Sequence, residues 1–398
     1  MNLATISIAY LRARKLSTLL VVVLLALGVG TITLLALVSS QIEERMRRDA
    51  EGFDLVIGAK GSPMQIILSS IYALDVPTGN IPLAQAEELA KHRMVKQAIP
   101  LALGDSYKGF RIVGAPTDYV AHYGGEPAAG RLYAKPMEAV LGATAARTIG
   151  LGVGDAFSGA HGLDEGGDTH ADKPYTVVGV LGRTGSVLDR LVVTSVDSVW
   201  AVHEHAEGID DPKVAQAERE VTALLIRYAS PLAVAMFPRY VNANSTLQAA
   251  SPAYETARLF SIVGVATDVM RAFALVLIAA AGLSVFIALY QALEERRYDL
   301  AVMRTLGASA RRVMGLLLFE ALLLSAAGTL VGLFLGHLAA EAVGALFREA
   351  RQADVTGWIW LPEELLIVAA AIAVGVLAAV IPAWRAYRTD IARTLAHA

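Results

Sequence analysis

Four stretches of this chain, Leu16 to Val38, Ala272 to Leu293, Val313 to about Leu338 and Leu365 to Ile381, are long runs of apolar residues. A bilayer core of about 30 Å is crossed by about 20 helical residues, and backbone polar groups there must be satisfied within the segment, so such runs dictate spanning helices. They also dictate the class of protein. Of the 398 residues 55% are hydrophobic, and the mean hydropathy of +0.51 lies outside the range of ordinary soluble chains. The last run is the shortest, and Trp358 and Trp360 precede it, where amphipathic rings favour the membrane interface. The first follows Arg12, Arg14 and Lys15 and ends in Ala36, Leu37 and Val38, which loosely resembles a signal-peptide cleavage site. Its apolar core is too long for that reading, and we take it as a retained anchor.

The basic residues of the short flanks set the orientation. Arg12, Arg14 and Lys15 precede the first run, Arg296, Arg297, Arg304, Arg311 and Arg312 crowd the loop between the second and third, and Arg385, Arg388 and Arg393 follow the fourth. The loop from about Ala339 to Glu364 holds Arg348 and Arg351 against Glu341, Glu349, Asp354, Glu363 and Glu364. The positive-inside rule then places both termini and the arginine-rich loop in the cytoplasm, and the segment between the first two spans outside it. The net charge of -3 argues against a nucleic-acid partner, and the absence of cysteine excludes disulfides and thiolate sites.

The chain therefore divides into residues 1–40, an N-terminal cytoplasmic segment and first span; 41–268, an extracytoplasmic domain; and 269–398, three spans with a cytoplasmic loop, an outer loop and a C-terminal tail. The middle part is large enough for its own core. Asp54 onward (DLVIG), Tyr175 onward (YTVVGVL), Arg190 onward (RLVVT) and Glu220 onward (EVTALLI) read as strands. Leu83 onward (LAQAEELAKH), Met137 onward (MEAVLGATAARTIG) and Ser195 onward (SVDSVWAVHEH) read as helices, the last with Ser195 as N-cap. The expected fold class is an α-helical membrane protein with four transmembrane helices and one large α+β domain inserted between the first two. Helical segments at its edges, Gln41 onward and Ala253 onward, are expected to form stalks continuous with those spans.

Candidate sites are few. The chain has no GxxxxGK[ST] loop to cradle nucleotide phosphates; GAKGS at Gly58 has the wrong spacing, and no nucleophile, base and orienter are spaced for catalysis. Gly328, Gly332 and Gly336 make a repeated GxxxG on the third span, suited to intrachain helix packing or to a dimer seam. Glu320 lies about two turns inside the cytoplasmic end of that span, where a carboxylate snorkels, pairs with a loop arginine, or handles protons or substrate. His161, Asp164, Glu165, Asp168, His170 and Asp172 gather among glycines; imidazole and carboxylate suit a divalent cation, and the same composition suits a solvated hairpin loop, so they are weak metal candidates only. In the arginine-rich loop Tyr298, Leu300, Val302, Met303 and Leu306 interleave with Arg296, Arg297, Asp299 and Arg304, Gly307 closes the run, and Ser309 is available to cap the third span. That is a short helix lying on the membrane surface or docking a cytoplasmic partner.

The segment from Glu295 to Ala308 resembles the coupling segment of MacB/FtsX-type ABC permeases. The similarity continues through Phe319 onward (FEALLLSAAGTLVGLFLG) and Pro382 onward (PAWRAYRTDIARTL), the latter with Ile391 where the family ending usually has proline. Val140 onward (VLGATAARTIGLGVGD) and Tyr175 onward (YTVVGVLGRTGS) are similar to its periplasmic core domain. The resemblance implies a multi-pass protein of the inner (plasma) membrane that is itself non-catalytic and works as a homodimer. It implies a separate ATPase subunit carrying ATP and Mg, with no cofactor in this chain, and a coupling helix at about Glu295 to Gly307. Membrane lipid and an envelope protein are further expected partners. The expected output is export or extraction of an amphipathic, lipidic or peptide cargo; the alternatives are an FtsX-like device controlling an extracytoplasmic enzyme, and metal-linked transport.

Overall fold

The computed structural model describes residues 3–162, 173–203, 219–349 and 355–388. The chain divides into two compact units, residues 1–42 with 263–398, and residues 43–262.

The first unit is helical. A short helix α1 (Leu3–Ala13) precedes α2 (Lys15–Ala50), and four helices among the described residues are long and apolar enough to cross a membrane. At about 1.5 Å per residue the 36 residues of α2 extend about 54 Å, well beyond a bilayer core. The surplus is the segment from Gln41 onward, where the apolar run gives way to charged residues but the helix does not stop.

The second unit is a mixed α/β domain between the first and second spans. Its strands are β1 (Leu55–Ala59), β2 (Ile81–Pro82), β3 (Val95–Tyr107), β4 (Phe110–Gly114), β5 (Pro127–Gly130), β6 (Glu138–Leu141), β7 (Ala156–Phe157), β8 (Ala160–His161), β9 (Tyr175–Leu181), β10 (Val192–Thr194), β11 (Glu220–Val221), β12 (Ala223–Tyr228) and β13 (Leu247–Ala250). The main sheet runs β13-β1-β12-β3-β4-β10-β6-β9-β5 among the described residues. The long β3 serves two cores. Its first half pairs with β12 over a core of Leu55, Ile57, Leu224, Ile226 and Phe237. Its second half pairs with β4, beside a core of Phe110, Ile112, Leu141, Tyr175 and Val192. Helices α3 (Pro63–Ser70), α4 (Leu83–Ala90), α5 (Thr117–His122), α6 (Ala143–Ile149), α7 (Val196–His203) and α8 (Pro231–Asn244) complete the unit. Ser195 does cap α7, its hydroxyl accepting from the amide of Ser198 at 3.2 Å.

The stretch from Met137 is not one helix. Residues Glu138–Leu141 are strand β6, paired with β9 and β10, and the helix begins only at Ala143. Gly142 makes the break because a Cβ there would lie 2.1 Å from the carbonyl oxygen of Leu188, so the backbone passes where no side chain fits. Tertiary packing, rather than helix propensity, sets that boundary. The strand expected from Arg190 likewise begins later, at Val192, because Val187–Arg190 form a 3-10 turn capped by Ser186.

The second spanning helix, α9 (Pro252–Glu295), runs unbroken for 44 residues from the α/β unit into the helical unit. It is followed by α10 (Arg297–Thr305), α11 (Ala310–Glu349) and α12 (Glu363–Tyr387).

Candidate functional site

The loop between the second and third spans folds as its residue pattern dictates. Helix α9 breaks at Arg296, whose φ of -104° and ψ of 9° leave helical geometry, and α10 starts at the next residue. At the far end the amide of Ala308 donates to Met303 at 3.0 Å and that of Gly307 to Arg304 at 3.1 Å, with Gly307 at φ +100°. This is a left-handed helix stop, which glycine adopts without steric cost. Ser309 then opens α11, its hydroxyl accepting from the amide of Arg312 at 3.4 Å.

The two faces of α10 differ sharply. Leu300 and Ala301 are buried, Leu300 in a core with Leu293, Val313, Leu316, Leu317 and Ala383 against which Met303 also packs. Burying a leucine of this kind contributes about 1.5–3 kcal/mol, enough to hold so short a helix in place. Arg297, Tyr298, Asp299 and Leu306 face outward, Leu306 at 84% exposure, and Arg304 is half-buried. A leucine this exposed beside a helix stop is a surface feature, not part of the fold's core.

Beneath α10 lies a charge cluster. Arg296 is 8% exposed and Glu320 1%, and Nη1 of the arginine donates to Oε1 of the glutamate at 3.0 Å. The guanidinium also sits over the ring of Tyr10 from α1, 3.5 Å from its centroid. Arg14, at the joint between α1 and α2, pairs with Glu295 and donates to the carbonyl of Ala288 at 3.3 Å. Two cations and two carboxylates thus balance where four helices meet. A buried pair of this kind is costly to form, and removing one partner strands the other charge, at about 3–5 kcal/mol.

Residues 271–391 match the family described as FtsX-like permease C-terminal, and residues 18–237 match the MacB-like periplasmic core domain, more than half of the chain. The chain belongs to the MacB/FtsX-type ABC permeases. It is similar to the periplasmic region of MacB from Actinobacillus actinomycetemcomitans, at 12% identity over 54% of this chain and 95% of that one, with a TM-score of 0.35. It is also similar to the extracellular domain of the noncanonic ABC-type transporter YknZ from Gram-positive bacteria, at 12% identity over 49% of this chain and 98% of that one, with a TM-score of 0.31. No curated protein matches it. The permease is a multi-pass membrane protein of a family that works beside an ABC ATPase and is generally non-catalytic.

The permease uses its GxxxG repeat within the chain. A Cβ on Gly332 would lie 2.9 Å from the carbonyl oxygen of Ala26, and one on Gly336 2.9 Å from that of Gly30, while Gly328 faces Leu25. Helices α2 and α11 therefore approach backbone to backbone. The histidine and acid loop is placed only in part. His161 ends β8 with Nδ1 3.2 Å from the buried Asp105, and Asp164, Glu165, Asp168, His170 and Asp172 lie outside the described residues. Among the described residues no three His, Asp or Glu side chains are grouped to hold a metal ion.

Sequence reasoning named Glu320 and the loop arginines but missed Tyr10 and the inward-turned Arg14. In the sequence Arg14 reads only as a topology signal. Its pairing is invisible in sequence because Glu295 lies 281 residues away.

Proposed function

We propose that this permease subunit transmits the motion of a separate, ATP- and Mg-binding ATPase subunit from the cytoplasmic loop through helical stalks to an extracytoplasmic α/β domain. The cargo class is amphipathic, lipidic or peptidic, moved by export or extraction, and both termini lie in the cytoplasm. The observation that carries this reading is α10, a short helix with one face buried in the bundle and the other exposing Tyr298, Arg297 and Leu306, rooted on the Arg296–Glu320 pair. An element so anchored moves with the spans when a partner displaces it, because packed helices shift as units between discrete arrangements.

The stalks suit this role. Helices α2, of 36 residues, and α9, of 44, are each longer than a bilayer core requires. The test is ATP hydrolysis by the ATPase assembled with the permease in lipid. Leu306→Asp and Arg304→Glu are expected to weaken docking by about tenfold or more, about 1.4 kcal/mol, and to remove stimulated hydrolysis while membrane insertion is unchanged. Unchanged stimulation in both variants refutes the docking role of α10. Capture of partners by the full permease then separates outputs: a bound lipid or envelope adaptor supports transport, and a bound cell-wall hydrolase supports an FtsX-like switch.

A further inference from the structure

The outer ends of three of the four spans are fastened together by partly buried hydrogen bonds. Gln41 of α2 donates from Nε2 to the carbonyl of Thr356 at 2.8 Å and accepts at Oε1 from the Thr356 amide at 3.0 Å. Glu341 of α11 accepts from the Thr356 hydroxyl and from the Gly357 amide, both at 2.9 Å. His337, one turn earlier, sets Nδ1 against the carbonyl of Gly357 and Nε2 at 3.1 Å from the carboxylate of Glu364 on α12. Glu364 also accepts from the amide of Leu361 at 3.0 Å. Gly357 lies so close to α11 that a Cβ on it would be 2.0 Å from the carbonyl oxygen of His337. The loop before α12 is thereby tied to α2 and α11.

Helix α9 takes no part in these bonds. From Val263 to Phe273 its large side chains are exposed, Val265 at 67%, Val269 at 64% and Phe273 at 57%. It joins the bundle only from Ala274 inward, along the buried stripe of Ala274, Ile278, Ala281, Val285, Leu289 and Ala292. Its inner end is pinned by Arg296 to Glu320 and by Glu295 to Arg14.

We infer that α2, α11 and α12 move as one body held by the outer clasp of Gln41, Glu341, His337 and Glu364, and that α9 is the lever that swings against it about its charged inner end. Separating any of the three clasped helices leaves partly buried donors and acceptors without their partners. Swinging the outer part of α9 breaks none of these bonds. The inference deepens the coupling reading and rests on it for the source of the push; the mobility itself belongs to the permease alone.

The chain has no cysteine, so paired labels can be introduced without background. Spin labels on Val269→Cys with Leu366→Cys report α9 against α12, and on Ser39→Cys with Leu366→Cys report α2 against α12. They are measured on the full permease in lipid nanodiscs, diluted with unlabelled chain. The first pair is expected to give a distance distribution at least about twice as wide as the second, as for a helix moving on the μs–ms scale beside a rigid one. Adding Gln41→Ala and Glu341→Ala is expected to widen the second pair to match the first. Equal widths in the intact clasp overturn the inference, whether a second copy or lipid holds α9 still, and so does a second pair that stays narrow without the clasp. Failure here leaves the hydrolysis assay of α10 untouched, so the two readings fail separately.

Discussion

Arg296 and Glu320 form a buried ion pair, Nη1 to Oε1 at 3.0 Å. Glu320→Ala is expected to lower the unfolding free energy of the purified permease by about 3–5 kcal/mol, because it leaves a buried guanidinium uncompensated, whereas Arg296→Met combined with Glu320→Leu is expected to be close to neutral. Denaturant unfolding in detergent measures both. If the double variant is as damaged as the single one, the pair contributes net stability and is not merely balanced. A second residue titrates instead of anchoring. Glu138 opens β6, and the Arg131 guanidinium, with the amides of Ala134 and Lys135, holds its carboxyl down to about 2 from the ordinary 4.5. A depressed carboxyl contributes stability that is complete above its unfolded value and is lost as pH falls from about 4.5 toward about 2. Thermal melts across that window should show Glu138→Gln losing less of its stability than the parent as pH falls; parallel curves would show that the Arg131 contact does not favour the charged form.

At the scale of the element, the close approach of α2 and α11 is a packing claim with a built-in control. Gly332→Ala forces a methyl against Ala26 and Val29 and is expected to cost about 1–3 kcal/mol, whereas Gly264→Ala in α9 meets nothing within 4 Å and is expected to gain about 0.8–1 kcal/mol from helix propensity. Comparing their melting temperatures in one detergent tests both, and equal shifts would refute the seam. The same contrast explains what was legible beforehand. The four spans could be read from sequence because bilayer thickness imposes a length that few other structures share, and α10 because Gly307 and the alternation of Leu300 and Met303 with charges are local signals. The break at Gly142 was not legible, since its cause is the carbonyl of Leu188 on a distant turn. Strand β3 was missed because Pro100 and Gly104 disturb the strand-like sequence pattern, and Leu101, Ala102 and Leu103 are buried in succession instead of alternating. The clasp was missed for a third reason. Gln41, Glu341 and Glu364 read as ordinary loop and stalk polarity until the fold brings them to Thr356, His337 and Leu361.

For the whole molecule, the proposed topology predicts that residues of the α/β unit and of the α10 loop are reached from opposite sides of one membrane. Mechanical transmission needs this separation, because a head in the same compartment as its foot has nothing to transmit across. The absence of native cysteine makes the arrangement directly measurable in intact cells. Ala156→Cys lies on an exposed stretch of the α/β unit and Ser309→Cys on the exposed loop after α10. With an impermeant thiol reagent, Ala156→Cys is expected to label in intact cells and Ser309→Cys only after the inner membrane is permeabilised. Labelling of both positions from outside, or of neither, would contradict it.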